Sequence, residues 1–214
     1  MTQSADVDST DDAPADAGKQ QRHQDRMQRK KAVVDAAIDS ADHDQGLLLV
    51  LTGNGKGKST AAFGMLARAL GHQMKVGVAQ FIKGSSDTGE EAFFAGRADV
   101  TWHVLGEGFT WETQNLSRDI DTAQRGWAIA AAMLKDPSLG LIVLDELTYP
   151  LKYGWLQLDD VLADLQTRPA MQHVVITGRA APKALCDAAD TVTDLADVKH
   201  AFRAGVRAQK GVDM

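Results

Sequence analysis

The stretch Gly46-Leu-Leu-Leu-Val-Leu-Thr52 runs directly into Gly53-Asn-Gly-Lys-Gly-Lys-Ser-Thr60, and the reading of that junction decides the fold. An apolar run of strand length stops at a glycine-rich turn. The turn opens into Ala61-Ala-Phe-Gly-Met-Leu-Ala-Arg-Ala-Leu70, which reads as a helix. A buried strand feeding a glycine loop and a helix N-terminus builds a cradle for a triphosphate. Glycines let backbone N–H groups converge on phosphate oxygens, and the open N–H groups of the first helical turn favour an anion. Residues Gly53, Asn54, Gly55, Lys56, Gly57, Lys58, Ser59 and Thr60 are therefore the expected ATP-binding set. Lys58 would bring a cation to the phosphates, and the Ser59 hydroxyl would ligate a magnesium ion. The loop departs from the common G-x-x-x-x-G-K-[ST] spacing, because the position of its first glycine falls on Thr52. It is a variant one residue tighter, and its triphosphate need not lie as it does in kinases.

Working outward, strands and helices alternate. Strands are expected at 74–82, 100–104, 140–146, 173–177 and 191–193, and helices at 119–134, 158–165 and 182–188. The strands are continuous apolar runs, as in Leu141-Ile-Val-Leu144, rather than alternating ones. That pattern predicts an α/β fold with a mostly parallel sheet covered by helices on both faces. Ligands of such sheets bind beyond the carboxyl ends of the strands. The glycine loop, the Asp145-Glu146 pair, the segment after Ile82 and the Thr177-Gly178-Arg179 turn should share that edge.

Asp145 and Glu146 end an apolar strand and are the natural partners of the loop. They would deliver negative charge to the magnesium held by Ser59, directly or through water. Which of the two touches the metal is open, and because the second carboxylate of such a pair commonly orients a water in ATPases, the pair does not exclude ATP hydrolysis. Gly106-Glu-Gly-Phe-Thr-Trp-Glu-Thr-Gln114 is a second unusual segment. Phe109 and Trp111 there are either anchors packed into the core, which composition alone favours, or an aromatic wall for a flat ligand. Arg179 could meet a phosphate or a carboxylate. The six histidines show no metal-ligand spacing,. The single cysteine, Cys186, reads as a buried small residue or an idle thiol,.

At 214 residues the chain is one domain of ordinary size with tails,. A net charge of −6 argues against a large nucleic-acid surface,. No apolar stretch approaches the roughly 20 residues of a membrane span. The N-terminus is acidic where a signal peptide would be basic and then apolar, so a cytoplasmic location is expected. Residues 1–18 hold five aspartates and no basic residue, the composition of a disordered tail,. From Lys19 onward Arg22, Arg26, Arg29, Lys30 and Lys31 precede Val33, Val34, Ala37 and Ile38. This reads as a helix, either a solvated surface element or an arm over an anionic ligand.

Taken together, Thr-Gly-Asn-Gly-Lys-Gly-Lys-Ser-Thr (52–60), Gln-Phe-Ile-Lys-Gly (80–84), Gly-Phe-Thr-Trp-Glu-Thr-Gln (108–114), Val-Leu-Asp-Glu-Leu-Thr-Tyr (143–149), Ile-Thr-Gly-Arg (176–179) and Val-Lys-His-Ala-Phe (198–202) resemble one family. The chain is similar, from about Lys19 to its end, to the ATP:corrinoid adenosyltransferases of the CobA/CobO/BtuR type. The resemblance implies a RecA-like P-loop fold and a homodimer. It implies transfer of the 5′-deoxyadenosyl group of MgATP to the Co(I) of a reduced corrinoid, with release of triphosphate. It further implies an electron-donating flavoprotein partner and a corrinoid site in which Phe109 and Trp111 face the lower side of the ring. Residues 19–45 would be a helix covering the site and 46–214 the adenosyltransferase domain. The competing readings are a RecA-like P-loop ATPase or kinase, resting on the loop and the carboxylate pair alone, and a non-catalytic corrinoid carrier or ATP-sensing module.

Overall fold

The computed structural model describes residues 13–82, 88–106 and 116–213. The chain divides into two units, Met1–Asp44 and Gln45–Met214. The first contains helix α1, Ala13–Asp39. It begins ahead of the expected start at Lys19, and its apolar residues Val33, Val34 and Ile38 are exposed. Lys31 pairs with Asp35 one turn on, at 2.5 Å.

The second unit follows the alternation read from the sequence. Its elements are β1 (Leu48–Thr52), α2 (Lys58–Gly71), β2 (Lys75–Gln80), α3 (Gly89–Phe94), β3 (Val100–Val104), α4 (Leu116–Leu134), β4 (Leu139–Asp145), α5 (Thr148–Lys152), α6 (Leu158–Gln166), β5 (His173–Thr177), α7 (Lys183–Ala188) and β6 (Thr191–Asp194). A 3-10 turn, Ala201–Ala204, follows. The strands form one sheet in the order β3-β2-β4-β5-β1-β6, and every pairing in it is parallel.

Both faces of the sheet are covered, which is why the middles of its central strands, such as Leu141 to Leu144 and Val174 to Ile176, are apolar,. On one face Val50, Ile142, Leu144, Val174 and Ile176 pack against Trp127, Ala130 and Leu134 of α4, Val161 and Leu165 of α6, and Leu185 of α7. On the other, Leu51, Val76, Val78, Leu141, Val143 and Val175 meet Ala62, Phe63, Leu66 and Ala69 of α2 and Phe94 of α3. Neighbouring residues of β4 thus go to opposite cores.

The register brings the strand ends together. Thr52 lies opposite Asp194, Leu51 opposite Thr177, and Gln80 opposite Asp145. One carboxyl edge therefore carries the glycine loop, the carboxylate pair and the Thr177 turn. Among the described residues, two short helices were not read from the sequence. For α3 the signal was present, because Thr88 caps the helix by accepting from the Glu91 N–H at 3.2 Å, the hydroxyl half of a Thr-x-x-Glu capping box. Helix α5 has only five residues, too few to show a period.

Candidate active site

The loop between β1 and α2 is held open by its glycines. Gly53 has φ 97° and Gly57 φ 106°, in the left-handed region that glycine adopts without penalty,. Space makes the same demand, because the chain leaving β6 passes against the loop. A Cβ on Gly53 would overlap Asp194 Oδ1 and lie 2.5 Å from the Leu195 carbonyl. One on Gly55 would lie 2.5 Å from the Ala196 carbonyl. The Gly55 N–H donates to Leu195 C=O at 2.7 Å. Gly57 occupies the cap position of α2 with no side-chain cap, and no acidic residue sits in the first turn. The helix start thus keeps its positive end for an external anion.

Lys58 is buried, and its Nζ donates to Gly55 C=O at 2.6 Å. Burial pushes its pKa below the ordinary lysine value, and the Arg179 charge adds to that shift. The negative charges of Glu146, Asp145 and Asp194 oppose it, Glu146 most strongly. A partly desolvated ammonium ringed by both signs gains from any anion that reaches it. Lys56 is half exposed and pairs with Asp213, which holds the Asp213 carboxyl below its usual range. Asn54 and Thr60 are exposed on the loop and the first turn of α2.

The carboxylate pair sits beside this loop. Asp145 is fully buried. Its Oδ1 accepts from the Ser59 hydroxyl at 2.7 Å and from the Thr177 hydroxyl at 2.7 Å. Its Oδ2 accepts from Gln80 Nε2 at 3.1 Å. A buried carboxylate requires such donors. Glu146 follows with φ 61°, a left-handed conformation rare for this residue type,. Its N–H donates to Thr177 Oγ1 at 3.0 Å.

The turn after β5 is fixed from two sides. The Thr148 hydroxyl donates to Arg179 C=O at 2.8 Å, and the Ala181 N–H donates to Thr52 Oγ1 at 3.2 Å. Gly178 has φ 142°, and a Cβ there would overlap Thr148 Oγ1. Arg179 is exposed, and its charge acts on Lys58 and Tyr149.

The sequence-predicted residues Gly53 to Thr60, Asp145 and Glu146 are thus brought together. Phe109 and Trp111 lie outside the described residues, as does Glu107. Cys186 is half buried, and burial raises its thiol pKa, which suits an idle thiol. Sequence reasoning missed Thr177 and Gln80 as partners of Asp145, and Asp194 to Ala196 as the wall of the loop. Their spacing from the loop in sequence gives no cue.

The donors at the loop are hard oxygens, a hydroxyl and two carboxylates, which is the chemistry magnesium prefers. Among the described residues no three His, Cys, Asp or Glu side chains converge into an all-protein cage. Magnesium needs none where a substrate's phosphates and water complete its shell.

Residues 44–214 match the family described as ATP:corrinoid adenosyltransferase BtuR/CobO/CobP. The chain belongs to this family. Residues 9–38, which include most of α1, match the cob(I)alamin adenosyltransferase N-terminal family. A corrinoid adenosyltransferase of Pseudomonas aeruginosa is 63% identical over 196 residues, covering 91% of this chain and 97% of the relative. Corrinoid adenosyltransferase CobA of Salmonella typhimurium is 48% identical over 193 residues, covering 90% of this chain and 98% of the relative. A corrinoid adenosyltransferase of a Sinorhizobium species is 42% identical over 195 residues, covering 90% of this chain and 91% of the relative. The chain is accordingly an enzyme of the corrinoid adenosyltransferase family.

Proposed function

We propose that this adenosyltransferase moves the 5′-deoxyadenosyl group of MgATP to the Co(I) of a reduced corrinoid and releases inorganic triphosphate. The corrinoid would be cobalamin, cobinamide or cobyrinic acid a,c-diamide. The observation that carries the reading is the junction of the glycine loop with β4: Lys58 buried and bonded to the Gly55 carbonyl, and Ser59 hydrogen-bonded to Asp145 at 2.7 Å. The insertion of β5 between β1 and β4 supports a RecA-like arrangement of that junction.

Co(I) is itself a strong nucleophile, so no side-chain nucleophile or general base is required. Its electron pair attacks C5′, the C5′–O bond breaks, and that bond's electrons leave with the triphosphate. The protein's tasks are to align the attack and to stabilise charge on the leaving group. Lys58 is the residue assigned to the second task, together with the loop N–H groups and the N-terminus of α2. Ser59, Asp145 and Glu146 would hold magnesium, which when bound supplies positive charge to the triphosphate. Phe109 and Trp111 would lie against the lower face of the corrin and exclude an axial donor. Loss of that donor lowers the cobalt orbital that accepts an electron and eases reduction of Co(II). The reading includes a homodimer, a flavoprotein that supplies the electron, and a cytoplasmic location, with no nucleic-acid or membrane partner.

The test is product analysis after mixing the protein, MgATP and chemically reduced corrinoid. An adenosylcorrinoid with a Co–C bond and intact triphosphate are expected. ADP with no alkylated cobalt would falsify the transfer and establish an ATPase. The aromatic pair has its own test. Trp111→Ala should stay folded, bind ATP, and lose more activity on Co(II) with a mild reductant than on pre-reduced Co(I). A stability loss of about 3–5 kcal/mol would instead mark Trp111 as a core anchor. Equal activity losses in the two assays would remove the corrinoid role.

A further inference from the structure

Thr177 ends β5, the strand between the loop strand β1 and the carboxylate strand β4, and it is fully buried. Its hydroxyl makes two bonds in opposite senses. It donates to Asp145 Oδ1 at 2.7 Å and accepts from the Glu146 N–H at 3.0 Å. One side chain thereby fixes the carboxylate of the first acidic residue and the backbone of the second. Both fixtures matter. Asp145 Oδ1 is the oxygen that also accepts from Ser59, so its position sets where the Ser59 hydroxyl points. Glu146 stands at φ 61°, a conformation that persists only where the surroundings enforce it,. Of the acidic charges around Lys58, that of Glu146 acts most strongly on it.

We propose that Thr177 is a positioning residue of the magnesium–triphosphate centre, holding the Asp145 carboxylate against Ser59 and the backbone of Glu146 in place through its single hydroxyl. The proposal rests on the reading of the loop as an MgATP site. Thr177 touches neither substrate nor metal in this role. It acts through the two acidic residues, as outer groups commonly tune a metal site.

The experiment measures ATP affinity by calorimetry, with magnesium and with EDTA, for the full-length protein and its variants. Thr177→Val keeps the shape and removes the hydroxyl. It should bind ATP in EDTA as the wild type does, yet lose about 10- to 100-fold of the tightening that magnesium gives. Thr177→Ser restores the hydroxyl and should recover the magnesium effect, which a purely space-filling role would not predict. Thr177→Ala carries the same test should the valine variant not fold. If the hydroxyl-free variants keep the full magnesium effect, Thr177 has no positioning role. An equal loss of affinity in EDTA and in magnesium would show that it only supports the loop's fold, which also overturns the proposal. A wild-type protein that binds ATP equally with and without magnesium would sink the metal reading itself, a result distinct from failure of the Thr177 role alone.

Discussion

Replacing Lys58 by alanine should lower turnover at limiting ATP by about 10- to 150-fold, the equivalent of a charge-assisted hydrogen bond of roughly 1.5–3 kcal/mol. The ammonium is buried and already bonded to the Gly55 carbonyl, so it is held in place before a ligand arrives. Its burial weakens its hydration, and a weakly hydrated cation gains more from a phosphate oxygen than a surface lysine does. The substitution also leaves Asp145, Glu146 and Asp194 without the cation whose pKa they raise. An incoming triphosphate would then meet their negative charge less compensated. Corrinoid binding should change little. Steady-state kinetics across ATP concentrations, with a separate corrinoid titration, check both statements. Wild-type turnover at limiting ATP would mean that the loop does not hold the triphosphate.

The parallel sheet was legible because its strands are buried on both faces. Leu141-Ile-Val-Leu144 alternates between two cores, so every position is apolar. The loop was legible for the opposite reason, since glycine, lysine and serine at that spacing have a local cause. What stayed hidden depended on strand order. Nothing periodic in the sequence says that β5 lies between β1 and β4, and only that placement brings the Thr177 hydroxyl to Asp145. The pair Lys56–Asp213 joins the loop to the far end of the chain, a distance along the sequence that local patterns do not span. Helix α3 was the avoidable miss, with Thr88 and Glu91 at capping spacing.

The tight loop gives the second large effect, at Gly53. Alanine there meets two obstacles. Its φ of 97° lies outside the ranges open to an L side chain at ordinary cost,. Its Cβ would also overlap Asp194 Oδ1 and crowd the Leu195 carbonyl, and the latter is backbone that cannot rotate away. Relief requires the loop and the segment after β6 to separate. That motion breaks the 2.7 Å bond from Gly55 N–H to Leu195 and displaces the N–H groups that would face phosphate. Overpacking of this kind costs about 1–3 kcal/mol. A displacement near 1 Å at a reacting centre costs on the order of 100-fold in rate. Gly53→Ala should therefore unfold at lower denaturant and lose about two orders of magnitude in turnover. Gly64→Ala provides the internal comparison on the same helix that the loop feeds. Gly64 faces solvent, and a Cβ there would meet nothing within 4 Å. The change should stabilise the protein by about 0.5–1 kcal/mol through helix propensity and leave turnover unchanged. Denaturation midpoints and turnover for the two variants distinguish a requirement for glycine at the loop from a general sensitivity of this segment. If Gly53→Ala kept both its midpoint and its rate, the segment from Asp194 to Ala196 would not wall the loop, and the glycine there would lose its structural cause.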